Sequence, residues 1–201
     1  MEAETFRGCR ATVNRIVFLL EEDSMRILLE GLLPRLFPGL LFQCVPHEGK
    51  QDLEKSIPRK LKAWREPGVR FVVIQDQDSA DCHQVKTNLV QLCQSTGRRD
   101  VLVRVACREL EAWYIGEPQA LKQAFPSTRP SALRELGKRR YQNPDTVVRP
   151  SDIIAKLIPE FQKRSGARRM AAFLSRENAS NSFRVFIEGI ERLWTSMQTG
   201  T

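Results

Sequence analysis

Two apolar runs that each end abruptly in acidic residues most constrain the fold of this chain. The first covers Arg15–Leu20 and is followed by Glu21, and the second covers residues 69–74 and is followed by Asp76 and Asp78. Short runs rich in Val, Ile, Leu and Phe are typical of strands buried on both faces, and such strands belong to parallel sheets. Because open α/β sheets bind ligands beyond the carboxyl ends of their strands, these acids are predicted to lie at a binding site.

The rest of the pattern predicts an α/β domain followed by helices. Segments with helical spacing separate four predicted strands, at residues 15–20, 40–45, 69–74 and 101–107. This alternation predicts a mostly parallel four-stranded sheet, with right-handed crossovers and flanking helices. After Arg108 no further strand is evident, and the last amphipathic pattern, at residues 183–194, needs a partner surface. We therefore predict an α/β domain over residues 1–116 and an all-helical extension over residues 117–201 that packs on it.

Composition excludes several classes of protein. No apolar run approaches the roughly 20 residues that span a bilayer, and the N-terminus lacks the apolar core of a signal peptide. We therefore expect a cytoplasmic protein without a membrane partner. The five cysteines are odd in number and form no C-x-x-C pair, which argues against a disulfide framework and against a zinc site. Buried free thiols are expected instead.

The formal charge of +8 lies mostly in the second half of the chain. A basic half beside a cluster of acids suits a protein that holds a polyanion, because phosphate contacts supply most non-specific affinity for nucleic acid. The densest basic run, Lys138, Arg139 and Arg140, is followed by Tyr141 and is predicted to bind nucleic acid by phosphate contact and stacking. A solvated run of surface charge explains the same residues equally well.

Acids at two strand ends suit a hard divalent cation, since Mg²⁺ is commonly bound by one or two carboxylates together with waters and substrate phosphates. In an extended chain, residues two apart point to the same side. Asp76 and Asp78 are therefore predicted to share one metal or flank two, while Gln77 points away. Glu21 would act as a ligand or as the general acid/base. The alternative is that these acids only cap the helices that follow the strands.

The order of strand, Leu20-Glu21-Glu22, helix, strand, helix, strand and Asp76-Gln77-Asp78 resembles the Toprim domain of topoisomerases, bacterial primases and OLD-type nucleases. The longer stretches HEGKQDLEKSIPRKLKAW and CRELEAWYIGE are similar to an uncharacterised bacterial family of Toprim-like proteins. The resemblance covers nearly the whole chain from about Arg15. It implies that Glu21, Asp76 and Asp78 are catalytic and bind Mg²⁺ or Mn²⁺.

The same resemblance implies a fourth metal ligand. In nuclease-like relatives a glutamate precedes a tryptophan after the strand that follows Asp-x-Asp, and Glu111-Ala112-Trp113 fits that place. Glu109 lies two residues earlier, so on a helix the two side chains would diverge by about 200° and only one would face the site. Glu111 is predicted to face it, and Glu109 is predicted to be an N-terminal helix acid.

The segment after the second predicted strand supplies further candidates on the same rim. His47 is interpreted either as a metal-shell or phosphate contact, or as a loop histidine that caps Glu48 or the next helix. Lys50 is predicted to place a point charge on a phosphate. Together with Glu22 these residues form the predicted auxiliary rim of the site.

Two departures from the Toprim pattern leave two functions open. Glu22 replaces the usual glycine, and Met25 stands where many nuclease members have a second acid. The resemblance implies a nuclease in bacterial anti-phage defence. The 201 residues contain no Gly-x-x-x-x-Gly-Lys-Ser/Thr loop, so an AAA/ABC-type ATPase is expected as a separate partner. The alternative is a non-catalytic subunit with a decayed site that binds nucleic acid or regulates an ATPase. Either form is compatible with a homodimer.

Overall fold

The computed structural model of the protein describes residues 14–199. Cys9 and the outermost residues of both predicted domains lie outside this range. The other four cysteines are free, as predicted, but only Cys93 is fully buried. No helix within residues 14–199 is both long enough and apolar enough to cross a membrane.

The sheet has four strands in the order β2-β1-β3-β4, and every neighbouring pair is parallel. The strands are β1 (Arg15–Leu20), β2 (Phe42–Pro46), β3 (Val69–Asp76) and β4 (Val101–Ala106). The two central strands, β1 and β3, are the two apolar runs of the sequence, and their side chains are buried almost throughout. The predicted parallel sheet is therefore confirmed. The two apolar runs form its central strands, where helices cover the sheet on both faces.

The register of the sheet aligns the strand ends that carry the acids. Leu20 at the end of β1 pairs with Ile74 of β3, and Asp76 at the end of β3 pairs with Ala106 of β4. Parallel strands present their carboxyl ends at one edge, so Glu21 and Asp76 emerge beside each other there.

Helices alternate with the strands and then continue alone. The crossover helices are α1 (Asp23–Leu36), α2 (Lys50–Ala63) and α3 (Cys82–Gln94). The short α4 (Ala112–Ile115) follows β4 within the predicted α/β domain. The helical extension contains α5 (Pro118–Ala124), α6 (Pro130–Leu136), α7 (Pro150–Leu157), α8 (Lys163–Ala171) and α9 (Asn181–Thr199). The polar segment between α6 and α7 forms two short 3₁₀ turns, Arg139–Tyr141 and Pro144–Thr146.

The helical extension shares a core with one face of the sheet. Alternate residues of β1, such as Phe18, pack in one cluster with α1 and with Phe183 and Phe186 of α9. The other residues of β1, such as Val17, pack in a second cluster with α2 and α3. The apolar stripe of α9 thus finds the partner surface that its spacing requires.

A buried polar network fixes the start of α9 against α4. The Trp113 ring stacks on Phe186 with centroids 5.3 Å apart, and its Nε1–H donates to the Ser182 hydroxyl at 2.9 Å. The Asp145 carboxylate accepts from the Ser182 backbone N–H at 2.7 Å and from the Ser180 hydroxyl at 2.6 Å. Asp145 therefore satisfies an N-terminal N–H of α9 from a distant segment, as a helix cap does locally.

We expect Asp145→Ala to lower the free energy of unfolding by about 1–3 kcal/mol, because it leaves a helix N–H and a buried hydroxyl without their acceptor. Urea denaturation monitored by circular dichroism measures the change. The matched control is Asp100→Ala, which removes an exposed acid that is 3.6 Å from Arg70. A surface pair of this kind contributes about 0–1 kcal/mol. Equal losses in the two variants would contradict the capping role of Asp145.

Candidate active site at the carboxyl edge of the sheet

Glu21 and Asp76 are joined directly at the carboxyl edge of the sheet. The Glu21 Oε2 atom accepts a hydrogen bond from the Asp76 backbone N–H at 2.9 Å. The carboxylate that follows β1 is thus held against the backbone that ends β3. Burial raises the pKa of Glu21 to about 7, the Asp76 N–H opposes this, and the charge of Asp78 adds to it.

Asp76 is almost fully buried at this edge, with 5% of its surface exposed. Burial first, and then the negative charges of Glu21 and Glu111, raise the pKa of Asp76 well above its usual range. Its Oδ1 atom has no hydrogen-bond partner within residues 14–199. A buried carboxylate without a partner is costly when ionised, so Asp76 must be protonated or must meet a cation.

Glu111 lies just before α4 and is completely buried, with 0% exposed. Neither of its carboxylate oxygens has a hydrogen-bond partner in the described chain. Burial raises the pKa of Glu111 to about 7, and the positive charge of Lys163 opposes that rise. The structure therefore brings Glu111 to the acids, where its charge acts on Asp76.

Glu109 is directed elsewhere. Its Oε2 atom accepts from the Ser151 backbone N–H at 3.0 Å, in the first turn of α7. The expectation that Glu109 serves its own helix is wrong, since α4 begins only at Ala112. The carboxylate stabilises the N-terminus of a different helix, where the macrodipole favours negative charge.

Asp78 does not continue the extended geometry that the sequence suggested. Strand β3 ends at Asp76, and Asp78 has a left-handed backbone with φ of 55° and an exposed side chain. Gln77, predicted to point away, is buried: its Nε2 donates to the Ala80 carbonyl at 2.7 Å, and its Oε1 accepts from the Arg108 N–H at 3.2 Å. The extended geometry from which a shared direction of Asp76 and Asp78 was argued is therefore absent, although the charge of Asp78 acts on Glu21.

His47 holds the end of β1 in place. Its Nδ1 donates to the Leu20 carbonyl at 2.8 Å, and its Nε2 lies against the Ser56 hydroxyl. Both ring nitrogens are occupied, so neither is directed at a metal or a phosphate. The loop after His47 is also bound to the end of β1, because the Gly49 N–H donates to the Glu21 carbonyl at 2.9 Å.

Two rim residues influence the acids. Lys50 is near enough to Glu21 for its charge to lower the pKa of that group. Glu22 adds a further negative charge to Glu21, Asp76 and Glu111, and its Oε2 is 3.8 Å from the Lys163 Nζ. Glu22 thus forms an acidic cluster together with Glu21, Asp76 and Glu111, even though the Toprim pattern has glycine at this position.

The site contains two residues that the sequence analysis did not predict, Lys163 and Tyr114. Lys163 begins α8, and the charges of Glu111, Glu22 and Asp76 raise its pKa against the opposing effect of burial. The Tyr114 hydroxyl is buried without a partner in the described chain, and burial followed by the charge of Glu111 raises its pKa well above its usual range. Neither residue stands near a strand end in the sequence, so no local signal marked them.

Two members of the basic run form ion pairs within the helical extension. Lys138 lies 2.6 Å from the Glu135 carboxylate, and Arg140 pairs with the same carboxylate. Arg139 has no ion pair among the described residues. The positive charges that act on Glu21 and Glu111 come from Lys50 and Lys163.

The donor set suits a hard cation, although it is not pre-arranged as a closed cage. Within residues 14–199, no three Asp, Glu, His or Cys side chains are grouped closely enough to form a ready-made site for a metal ion. The buried oxygens that lack hydrogen-bond partners within residues 14–199 nevertheless include Asp76 Oδ1, both Glu111 carboxylate oxygens and the Tyr114 hydroxyl. Mg²⁺ binds through one or two carboxylates and completes its shell with water and phosphate oxygens, so these residues fit it.

The raised pKa of Glu111 predicts a pH dependence of stability. Between its unfolded value of 4.5 and the folded value of about 7, the folded state binds the proton more tightly, so the free energy of unfolding falls as pH rises through this window. Without metal, we expect Glu111→Gln to match the wild type at pH 4 and to exceed its stability at pH 8. Each unit of pKa shift corresponds to about 1.4 kcal/mol.

Urea denaturation in EDTA across this pH range measures the effect. Glu177→Gln, which removes an exposed carboxylate, is the control and should follow the wild type. Adding Mg²⁺ at pH 8 should stabilise the wild type more than Glu111→Gln. A wild type whose stability rises between pH 5 and 8 in parallel with Glu111→Gln would contradict the assignment.

Comparisons with known proteins agree with this fold. Among curated proteins, none matches the chain. The C-terminal region of the Burkholderia pseudomallei OLD protein has a similar structure, with 17% identity and a TM-score of 0.54 over 90% of this chain and 98% of that one. The C-terminal region of the Xanthomonas campestris pv. campestris OLD protein is also similar, with 15% identity and a TM-score of 0.53 over 91% and 97%.

These likenesses confirm the predicted fold class, a four-stranded parallel α/β sheet flanked by helices with a helical C-terminal extension. At such low identities they concern the fold alone. The family model described as a domain of unknown function, DUF4276, matches residues 20–191, a span that includes Glu21, Asp76, Asp78 and Glu111. The chain therefore belongs to the DUF4276 family.

Proposed function

We propose that the protein is a Toprim-like nuclease that hydrolyses phosphodiester bonds in DNA or RNA with Mg²⁺ or Mn²⁺. The observation that carries the proposal is the pair of buried carboxylates, Asp76 and Glu111, at the edge that also holds Glu21. Asp76 Oδ1 and both Glu111 oxygens lack partners within residues 14–199. Buried anions of this kind are held where they coordinate a cation or are neutralised. The OLD-like fold supports the same class of chemistry.

Asp76 and Glu111 would hold the cation, with Glu21 beside them and Asp78 at the exposed margin. A bound divalent ion would polarise a phosphoryl oxygen and lower the pKa of a water molecule. The protein contributes the burial of the site, which strengthens every electrostatic interaction within it.

Glu21 is suited to move a proton. Hydrolysis forms a bond from a water oxygen to phosphorus, breaks one bridging P–O bond and transfers one proton to the leaving oxygen. A group with a pKa near 7 exchanges protons most effectively at neutral pH, and the pKa of Glu21 is about 7. Its hydrogen bond to the Asp76 N–H fixes one carboxylate oxygen, and the other is left to accept the proton.

Lys50 and Lys163 would bind the substrate phosphate. Their charges act on Glu21 and Glu111 respectively, so each lysine would place a positive charge beside a phosphate that the cation holds at these acids. An ammonium group supplies a compact point charge to phosphate oxygens. When substrate enters, Lys163 would exchange its ion pair with Glu22 for the phosphate.

The proposal includes a role in bacterial anti-phage defence, a cytoplasmic location and a separate AAA/ABC-type ATPase partner. These parts are supported by the resemblance to OLD-type nucleases alone. A homodimer is compatible with the proposal and is tested by sedimentation.

A specific observation favours a second candidate, a non-catalytic subunit that binds nucleic acid or regulates an ATPase. Met25, at the position where many Toprim nucleases carry a second acid, is 1% exposed and packed in the core. Lys163 also places a positive charge beside the acids, where it partly replaces a cation. A site with fewer acids and a resident cation binds metal more weakly.

Cleavage of supercoiled plasmid and of single-stranded oligonucleotides separates the two candidates. We expect cleavage with Mg²⁺ or Mn²⁺ and none in EDTA. Asp76→Asn and Glu111→Gln should each lose at least about 100-fold in rate, because each removes a ligand of the cation that carries the chemistry. Asp100→Asn, an exposed substitution of the same chemistry, should cleave like the wild type.

Metal-dependent cleavage that persists in Asp76→Asn would overturn the site assignment. Nucleic-acid binding by the wild type without cleavage in either metal would support the non-catalytic subunit instead. Circular dichroism of each variant establishes that the fold is retained.

A further inference from the structure

A cavity of about 800 Å³ opens in the helical extension, between α6, the 3₁₀ turn Arg139–Tyr141 and α7. Its floor is formed by apolar and aromatic side chains, among them Tyr141, Val147, Ile153 and Leu157. Cavities of roughly 300–1,000 Å³ with mainly apolar walls and a few polar groups are typical small-ligand sites. The catalytic proposal does not use this cavity.

Three cations lie on its wall, namely Arg129, Arg140 and Lys156. The acid among the lining residues is Glu135, and its carboxylate is already paired with Lys138 and Arg140. Arg129 and Lys156 are exposed and form no ion pair within residues 14–199. The cavity therefore combines an apolar floor with an excess of positive charge at its edge.

Arg140 adds a flat surface. Its guanidinium lies over the Tyr141 ring, 4.9 Å from the ring centroid. Nucleobases stack on guanidinium planes as well as on aromatic rings. Of the predicted basic run, only Arg140 lines the cavity.

The cavity adjoins a smaller cleft that reaches Asp78. A cleft of about 220 Å³ is lined by Asp78, Glu109, Arg108 and Arg149, and it shares Val148 with the cavity. Val148 is 62% exposed at the junction of the two. The cleft therefore extends from Val148 at the cavity to Asp78, the exposed acid that follows β3.

We infer that this cavity binds an unpaired nucleotide of a single-stranded nucleic acid whose neighbouring phosphates run along the cleft toward the acidic cluster. The inference rests on the proposed function and adds a substrate preference to it. The base contacts the apolar floor and Arg140, and Lys156 and Arg129 contact phosphates. Bases of a duplex are stacked and paired, so they cannot enter, and the protein binds single strands in preference to duplex.

An acidic helix from a protein partner fits the cavity less well. Docking of a helix in a groove needs several apolar anchors along one face. Of the large hydrophobic side chains that line the cavity, Val148 is the one that is mostly exposed, and Ile153 and Leu157 are half-buried. The separation of an apolar floor from edge cations matches a base with its phosphate.

Fluorescence anisotropy in EDTA tests the inference without cleavage. The probes are a fluorescein-labelled 12-nucleotide oligothymidine and a labelled duplex of 12 base pairs. We expect the wild type to bind the single strand at least about tenfold more tightly, since stacking of one base contributes about 1–3 kcal/mol. The slope of log K against log salt should fall by about 0.7 in Lys156→Ala, as for the loss of one phosphate contact.

Val148→Asp should weaken single-strand binding about fivefold or more and leave duplex binding unchanged. Lys122→Ala removes an exposed cation of α5 that does not line the cavity. It is the matched control for Lys156→Ala and should keep the wild-type salt slope. Thermal unfolding of each variant establishes that these surface substitutions leave the fold intact.

Equal affinity of the wild type for single strand and duplex overturns the inference, as does an identical effect of Lys156→Ala and Lys122→Ala. Preferential binding of a labelled polyglutamate peptide also overturns it. Cavity-dependent binding without any metal-dependent cleavage would uphold the inference and reject the proposed nuclease. Cleavage by a protein whose single-strand binding ignores both cavity substitutions would reject the inference alone.

Discussion

The parallel pairing of β1 with β3 is the constraint on which the site depends. It places the end of one buried strand beside the end of the other, and there the Glu21 carboxylate accepts the Asp76 backbone N–H at 2.9 Å. Two acids in a low-dielectric environment repel each other, and the apolar strands that precede them hold them together. The hydrophobic burial of the sheet therefore stabilises an arrangement that electrostatics alone would open.

Protein groups offset the negative charges at this edge only in part. Lys163 offsets part of the negative charge of Glu111 and Glu22, while Asp76 receives a single opposing backbone hydrogen bond, from Leu110. The carboxylates respond by binding protons up to near neutral pH, or by binding a cation when one is present. The same feature thus links stability, pH and metal affinity.

The segments that follow β4 complete the site and do not merely cover the sheet. The segment before α4 brings Glu111 to the strand ends, and the first turn of α8 brings Lys163 to Glu22 and Arg164 to within 2.8 Å of Asp23. Gly31 of α1 permits this approach, because a Cβ there would lie 2.7 Å from the Ala171 Cβ of α8. The close contact of α1 with α8 therefore fixes the position of the Lys163 ammonium group relative to the acids.

The sequence by itself determined the strands, their parallel orientation and the nomination of Glu21 and Asp76, because apolar runs and the acids that end them are local patterns. It also nominated Glu111, through resemblance. Only the tertiary structure decided the direction of Asp78, since one left-handed residue beyond a strand end turns a side chain away from its extended course. Only the structure placed Lys163 at the site, because its position follows from how helices pack across the chain, and no spacing in the sequence records that packing.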